Sequence, residues 1–406
     1  MKSSIRVAGI AISPPTAKIS GGVSAGIQLM SHVANLKETH MLVMADQNYA
    51  ATVGKLEVSY VRATNSLSWC AGVLPRAIET LWWRAPVGKW LDKVMPDVVH
   101  LHNPHPPGAF LAAARACRKR RIPYVISTHG FVEFDDYQKA FGAPSWQKPL
   151  LDLLIRRPVV KTATNAAAVL MLSPQEEPIL ISMGVEREKL GIATNGVDPY
   201  FCTEISADSR QSLTSRFEIP ENRLKILFVG NHTANKGIDV LLTAAKMLRG
   251  DTVVIVAGAI RSQKEHQLLL RDSGTDTSLG QVIFTDVTTK EELRALYQSA
   301  DIFCFPSRAD TLPLVILEAM VSGLPVVSTK TGGIPYEVSA DTGILVDSGD
   351  ALSLANALNT LHDDKHRRAR LGEAGRARAI QLFDWAGSAK KAVQVYDQLL
   401  LSSANA

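Results

Sequence analysis

The segment DIFCFPSRADTLPLVILEAMVSGLPVVS, residues 301–328, carries the strongest chemical signal in the sequence. It is typical of a buried strand, a polar loop and a helix that begins near Pro313, since proline suits the first helical position. The amides that open a helix lie at the positive end of its dipole and form an anion site. We therefore expect the main-chain amides of Thr311, Leu312 and Leu314 to bind a phosphate group, with Pro313 counted among the residues of this anion-binding segment.

Glu318 is the single charged residue in the apolar helical stretch VILEAMV. A carboxylate on such a surface must find hydrogen-bond donors or lose its charge. Ribose hydroxyls are suitable donors. The alternative is a structural glutamate that is paired with a nearby arginine or lysine, or exposed at one edge of the helix.

A glycine-containing loop, GNHTANKG at 230–237, follows the apolar run KILFVG. A glycine such as Gly230 lets the backbone approach a ligand closely, and Lys236 is spaced to reach a phosphate oxygen. Taken alone, the loop also fits an ordinary turn of a Rossmann-like domain that carries a solvated lysine.

The elements that must position these loops alternate between short apolar runs and amphipathic stretches. Strands are predicted at 5–12, 40–45, 97–102, 123–128 and 168–173, and again at 225–230, 252–258, 281–285, 301–307, 325–329 and 343–347. Such alternation specifies parallel sheets with helical crossovers. The fold class is therefore α/β, with two doubly wound Rossmann-like domains facing an interdomain cleft in which the ligand is expected.

A chain of 406 residues is too long for one ordinary core and favours two domains. Turn residues cluster in ATNGVDPYF, so we predict domains at 1–196 and 197–384, with a linker within 196–222. The closing amphipathic segment at about 385–402 is expected to be a helix that packs back on the N-terminal domain. A hydrophobic content of 46% and a charged content of 20% are those of an ordinary globular protein.

The net charge of +5 is concentrated in the first half of the chain. One basic cluster comprises Arg115, Arg118, Lys119, Arg120 and Arg121, and a second, mixed patch contains Trp82, Trp83, Arg84, Lys89, Trp90 and Lys93. Tryptophan mixed with basic residues suits an interfacial helix among anionic headgroups, so peripheral membrane contact is one interpretation. The other is a solvated helix face with core tryptophans. No nucleic-acid motif accompanies the charge, and no nucleic-acid partner is expected.

Cysteine and histidine spacing argues against a disulfide framework and against a metal site. The cysteines are Cys70, Cys117, Cys202 and Cys304, and none forms a ligand pair with another. His100, His102 and His105 invite a zinc interpretation, but no fourth ligand is evident. The first apolar run is too short to span a membrane and is interpreted as a strand. We expect a cytoplasmic protein without a metal or another cofactor.

Taken together, the loops at 230–237 and 301–328 resemble those of the retaining glycosyltransferases of family 4, which have the GT-B fold, and the resemblance runs over nearly the whole chain. It implies that Glu318 holds the donor ribose, Asp310 the hydroxyls of the transferred sugar, and Lys236 the pyrophosphate. The segments TGGIPYEV at 331–338 and NGVD also look like family landmarks.

In the N-terminal half the resemblance implies two further donor contacts. Gly21 and Gly22 match the family's glycine loop that faces the donor phosphate, although a plain helix start explains them equally well. His129 matches the histidine that reaches the donor sugar, and its alternative is a structural residue at a strand end. Lys236, Asp310 and His129 are accordingly the predicted catalytic residues.

Two positions depart from the family pattern. Asp310 stands where the family usually has glutamate, and Asn231 stands where it has a phosphate-binding arginine, for which Arg308 is a candidate substitute. The resemblance implies retaining, metal-independent transfer of a hexose-type sugar from a nucleotide-diphosphate sugar to a glycan or lipid-linked acceptor. A GT-B nucleotide-sugar or glycan binding protein with impaired catalysis is the alternative, and a phosphorylase or sugar-nucleotide epimerase is a third interpretation.

Overall fold

The computed structural model describes residues 5–15, 21–66, 82–129, 131, 148–260, 263–273, 282–285 and 289–404. The chain divides into two compact units. The N-terminal unit ends at Asn195 and also takes up the last segment from Trp385, whereas the C-terminal unit includes Gly196–Asp384.

An eight-stranded sheet forms the centre of the described N-terminal unit, in the order β10-β9-β8-β7-β1-β2-β4-β3. Its strands are β1 Arg6–Ala11, β2 Glu38–Ala45, β3 Tyr49–Val53, β4 Leu56–Arg62, β7 Val98–His102, β8 Tyr124–Ser127, β9 Ala168–Met171 and β10 Leu190–Ile192, while β5 Thr64–Asn65 and β6 Trp83–Arg84 pair separately. All neighbours in the large sheet are parallel except β3 and β4. Apolar residues on both faces of β1 and β7 are buried, because helices cover both faces of a doubly wound sheet.

The helices of the N-terminal unit connect these strands. They are α1 Gly21–Val33, α2 Val87–Val94, α3 Pro107–Lys119, α4 Lys148–Leu151, α5 Arg157–Thr164 and α6 Glu177–Ser182, with a π-helical turn at Asp152–Arg156 between α4 and α5. Helix α1 begins at Gly21, where the sequence predicts a helix start. Among the residues that the structure describes, no helix is long and apolar enough to cross a membrane.

The C-terminal unit contains a parallel six-stranded sheet in the order β13-β12-β11-β14-β15-β16. Its strands are β11 Leu224–Val229, β12 Thr252–Ala257, β13 Val282–Phe284, β14 Ile302–Phe305, β15 Val326–Thr329 and β16 Gly343–Val346. Its helices are α7 Ala207–Arg216, α8 Ile238–Ala245, α9 Gln263–Ser273, α10 Lys290–Ser299, α11 Leu314–Val321, α12 Ile334–Glu337, α13 Ala351–Asp363 and α14 Lys365–Leu382. The strand order reverses between β11 and β14, which is the position where such sheets bind ligands.

The final helix, α15 Trp385–Ala404, packs on α1 within the N-terminal unit. Lys37 Nζ lies 2.8 Å from Asp397 Oδ1, and the buried Tyr396 hydroxyl lies 2.5 Å from His100 Nδ1. The chain thus returns to its first unit after completing the second.

The structure differs from the sequence analysis in two places. The region 196–222 is not an open linker, because it contains a 3-10 turn at Pro199–Cys202 and helix α7, both within the C-terminal unit. The hairpin of β3 and β4 was not predicted, since β3 is largely exposed and has no apolar run. Exposed edge strands lack the hydrophobic signal from which strands are predicted.

Candidate functional site

The point of strand-order reversal in the C-terminal unit brings Lys236 and Asp310 together. Strands β11 and β14 pair in parallel, with Ile226 opposite Ile302, so the loops that follow them start at the same edge of the sheet. Lys236 Nζ lies 3.0 Å from Asp310 Oδ1 and 2.8 Å from Oδ2. Both side chains are largely buried, at 18% and 14% exposed, so the attraction is weakly screened.

The Asp310 carboxylate also accepts a hydrogen bond from Ser307. The Ser307 hydroxyl lies 2.7 Å from Asp310 Oδ2, and the serine is completely buried. The group expected to hold a phosphate and the group expected to hold sugar hydroxyls therefore neutralise each other here. An anionic ligand at Lys236 must compete with Asp310 for the ammonium group.

Close backbone contact between the two loops holds this pair in place. Gly237 has a φ of +71°, and a Cβ atom added there would overlap the carbonyl oxygen of Pro306. The amide of Arg308 donates to the carbonyl of Asn235 at 2.8 Å. Glycine is therefore required by conformation and by space at 237, immediately after the lysine. A second close backbone contact involves Gly230, which follows β11. A Cβ atom added at Gly258 would overlap the carbonyl of Gly230.

Arg308, the candidate substitute for the family arginine, is engaged by a carboxylate of the same unit. Its Nη1 and Nη2 atoms lie 2.6 and 2.5 Å from the two oxygens of Asp239, and Nη1 lies 2.5 Å from the carbonyl of Ala234. This fork raises the pKa of Arg308, so the guanidinium stays charged. Asn231 lies half-buried in the same loop as Lys236.

Helix α11 places Glu318 beside a tyrosine. The Tyr297 hydroxyl donates to Glu318 Oε2 at 2.9 Å, and Tyr297 is completely buried. Burial raises the pKa of Glu318 to about 7, although the tyrosine hydrogen bond opposes the rise. The side chain that donates to Glu318 is therefore the neutral hydroxyl of Tyr297. It is not the arginine or lysine that a purely structural glutamate was expected to pair with.

The start of α11 differs by one residue from the prediction. Pro313 is the N-cap and the first helical residue is Leu314, because Pro313 has an extended ψ of 118°. Thr311 and Leu312 lie buried in the loop before the helix, and Leu314 is half-buried. The predicted phosphate contact of these residues stays a prediction.

The predicted residues of the N-terminal unit gather near the reversal point of its own sheet, between β1 and β7. A Cβ atom added at Gly22 would lie 3.3 Å from His129 Cβ, so the start of α1 and the segment after β8 are in contact, while Gly21 faces open space. His129 is 4% exposed, and its Nε2 is buried without a hydrogen-bond partner in the part of the chain that the structure describes. Burial lowers the pKa of His129 to about 4, so its imidazole is neutral.

The neighbouring histidines His100 and His102 are engaged in contacts within the N-terminal unit. Across the described ranges, no group of three histidine, cysteine or acidic residues could hold a metal ion. His100 is engaged by the Tyr396 hydroxyl and, at 2.9 Å, by that of Ser127. His102 stacks at 4.2 Å from His100, and burial lowers its pKa. These rings form part of a neutral polar cluster below α1.

The tryptophans of the mixed patch pack in the core, whereas its basic residues Arg84, Lys89 and Lys93 are exposed. Trp90 is buried at 9% exposed, and Trp82 and Trp83 pack against the core of the N-terminal unit. Arg120 forms a salt bridge to Asp92 at 2.6 Å. These contacts favour the solvated helix face with core tryptophans over the interfacial helix.

Sequence reasoning missed four residues that shape the candidate site. They are the partners Ser307, Asp239 and Tyr297, and the buried Glu337. Ser307 and Asp239 lie three residues from Asp310 and Lys236, which is the only local signal they carry. Tyr297 lies on the helix before β14 and meets Glu318 only through the packing of that helix.

Comparison with known families covers both units. Residues 46–201 match the family model described as Glycosyltransferase Family 4, and residues 209–378 match the model described as Glycosyl transferases group 1. The chain is 33% identical to a D-inositol 3-phosphate glycosyltransferase of Corynebacterium aurimucosum over 57% of this chain and 57% of that protein. It is 29% identical to an alpha-maltose-1-phosphate synthase of Mycobacterium tuberculosis over 74% of this chain and 78% of that protein. The first alignment thus spans little more than half of that relative.

Solved structures establish the fold. A sucrose-phosphate synthase from Thermosynechococcus elongatus superimposes with a TM-score of 0.77 and 22% identity, covering 98% of this chain and all (100%) of that one. HepE from Anabaena, solved in complex with UDP, superimposes with a TM-score of 0.74 and 20% identity over 97% of this chain and 100% of that chain. The chain has the GT-B fold, and the two family models account for most of its length. It belongs to glycosyltransferase family 4.

Proposed function

We propose that the protein transfers a hexose-type sugar from a nucleotide-diphosphate sugar to a glycan or lipid-linked acceptor, with retention of anomeric configuration and without a metal ion. The observation that carries this proposal is the Lys236–Asp310 pair at the reversal point of the C-terminal sheet. The names of the relatives, and the neighbouring structures that hold UDP and UDP-glucose, support a nucleotide-sugar donor.

Breaking the bond between sugar and phosphate places negative charge on the departing nucleoside diphosphate. A cation that is already fixed at that position lowers the barrier, because no reorganisation is needed as the charge develops. Lys236, which is held by Asp310 and by the backbone contact at Gly237, would supply this cation. As the diphosphate takes over the ammonium group, the Asp310 carboxylate becomes available to accept hydrogen bonds from the sugar hydroxyls.

Glu318 and His129 complete the proposed donor contacts. Ribose hydroxyls would donate to Glu318 beside the existing bond from Tyr297. His129 would contact the transferred sugar as a neutral imidazole, since its pKa of about 4 leaves it uncharged at neutral pH. We assign no carboxylate as a covalent nucleophile. The acceptor attacks the same face of the sugar, and its proton passes to the departing phosphate.

A thermal-shift screen against UDP-, GDP- and ADP-sugars tests donor binding. A ligand at a hundred times its dissociation constant adds about 2.7 kcal/mol to the stability of the folded state, which is readily measured. One of the three donors should raise the unfolding temperature, and no response to any of them would contradict the proposal. NMR of the product from an α-linked donor then tests retention, and an inverted linkage would refute it.

A binding protein with impaired catalysis is the second candidate function. Asn231 in place of an arginine favours it, and so does the commitment of Arg308 to Asp239. Hydrolysis of the bound donor in the absence of an acceptor separates the two functions. Slow release of free sugar supports the transferase, whereas a donor that binds tightly and stays intact, with and without acceptors, supports the binding protein.

A lipid-linked acceptor would bring the protein to an anionic membrane surface. We propose the exposed basic residues of α2 and α3, among them Lys89, Arg115 and Arg118, as the contact surface. Because the tryptophans pack in the core, the attraction should be electrostatic. Sedimentation with anionic vesicles should therefore fall as salt is raised, and salt-independent binding would contradict this surface.

A further inference from the structure

Glu337 is a fully buried acid on the segment after β15, and β15 is the parallel neighbour of β14, whose following loop carries Asp310. Glu337 ends the short helix α12, which follows the TGG loop after β15. Its side chain is 0% exposed, and neither carboxyl oxygen has a hydrogen-bond partner within the described ranges. Such an acid is uncommon, because buried polar atoms are nearly always hydrogen-bonded.

The nearby arginine does not compensate the Glu337 side chain. Arg378 of α14 donates from Nε to the main-chain carbonyl of Glu337 at 2.9 Å and from Nη2 to that of Tyr336 at 2.8 Å. This guanidinium therefore satisfies the last carbonyls of α12 and holds the helix in place. In the part of the chain that the structure describes, the side-chain carboxyl group has no hydrogen-bond donor.

An unpaired carboxylate in a protein interior is strongly disfavoured, so Glu337 takes up a proton. Burial raises its pKa well above the usual range, and the negative charge of Asp310 raises it further. Asp310 is the same carboxylate that binds Lys236. Among the described residues, the charged groups that act on the Glu337 segment are Asp310 from the loop after β14 and Arg378, which binds the main chain.

The proton on Glu337 affects the charge balance of the candidate donor site. Among the described site residues, the cations Lys236 and Arg308 are each matched by one carboxylate, Asp310 and Asp239 respectively. Asn231 stands where the family has a further cation. An ionised Glu337 would therefore leave the site with an uncompensated negative charge before an anionic diphosphate arrives, and like charges at close range in a poorly hydrated site repel strongly.

We propose that Glu337 is a positioning residue that acts as a neutral carboxylic acid, and that its proton is required for a nucleotide diphosphate to bind at Lys236. This inference rests on the proposed function of the same site. The ionised form of Glu337 would repel both Asp310 and the incoming diphosphate.

Dissociation constants measured by calorimetry from pH 6 to pH 9 test the proposal, with the nucleoside diphosphate of whichever donor stabilises the wild type. Glu337→Gln is a permanently neutral isostere, and Glu373→Gln is a matched control on the exposed surface of α14. At pH 6 the Glu337→Gln variant should bind within about threefold of wild type. As pH rises, wild-type affinity should fall below that of the variant by up to about tenfold per unit, as expected for one linked proton. The control should follow the wild-type curve.

Two outcomes would overturn the inference. One is a folded Glu337→Gln variant that binds at least tenfold more weakly than wild type at pH 6. The other is an affinity ratio between wild type and variant that does not change up to pH 9. If the glutamine variant does not fold, Glu337→Met gives the same comparison with an apolar side chain. A wild type that binds no nucleoside diphosphate at pH 6 would instead refute the proposed function, and this inference with it.

Discussion

Replacing Lys236 by alanine removes the cation from the loop after β11 and leaves the Asp310 carboxylate with the Ser307 hydroxyl as its neighbouring donor. Removing one partner of a fully buried pair costs about 3 to 5 kcal/mol of stability, whereas an exposed pair is worth about 0 to 1 kcal/mol. At 18% and 14% exposure, the Lys236–Asp310 pair lies between these limits. We expect the free energy of unfolding to fall by about 1 to 3 kcal/mol.

The loss in catalysis should be larger than the loss in stability. A single preorganised donor at a developing negative charge contributes about 2.7 to 4 kcal/mol to the transition state, which is a factor of about 10² to 10³ in kcat. A domain with a stability of about 5 to 15 kcal/mol tolerates the smaller change and stays folded. The Lys236→Ala variant should therefore be folded and nearly inactive.

Donor turnover at saturating donor, with urea unfolding measured in parallel, separates the two effects. Lys330→Ala is the matched control, because Lys330 pairs with Asp347 at 3.0 Å on the surface, where the two side chains are 59% and 77% exposed. The control should lose less than about 1 kcal/mol of stability and keep its turnover. Turnover of Lys236→Ala within about twofold of wild type would remove the lysine from the mechanism.

Two further substitutions probe the support of the site. Tyr297→Phe removes the hydrogen bond that opposes the rise in the pKa of Glu318 to about 7, so this pKa should rise further. Nucleotide affinity at pH 7 should then fall, because less of Glu318 is ionised. An unchanged pH profile of affinity would show that Tyr297 does not act on nucleotide binding through Glu318. Because the folded pKa of Glu318 is raised from 4.5, its protonated form stabilises the fold at low pH, and this contribution is lost as pH rises through about 7. Gly237→Ala should lower the free energy of unfolding by at least about 1 to 3 kcal/mol, because φ is +71° and the new Cβ meets the Pro306 carbonyl. Gly250→Ala, where an added Cβ meets nothing within 4 Å, is the control, and equal urea midpoints would refute the argument.

Glu318 and Asp310 show how far the sequence predicts the site. Glu318 is recognisable because a carboxylate on an apolar helix is unusual and must have a partner, whereas Asp310 is recognisable only through the resemblance to the family's carboxylate pair. Their partners are not recognisable. Tyr297 meets Glu318 through the packing of α10 on α11, and Ser307 and Lys236 meet Asp310 because β11 and β14 are neighbours.

Local pattern was sufficient for the central strands of both sheets, because buried parallel strands are continuous apolar runs. The exposed β3 and the buried carboxyl of Glu337 depended on tertiary structure. β3 is held by its pairing with β4, and the segment around Glu337 meets Arg378 of the distant helix α14, so the free energy of each depends on which surfaces meet. Hydrophobic periodicity shows that a segment has a buried face, but only the folded chain determines what covers it.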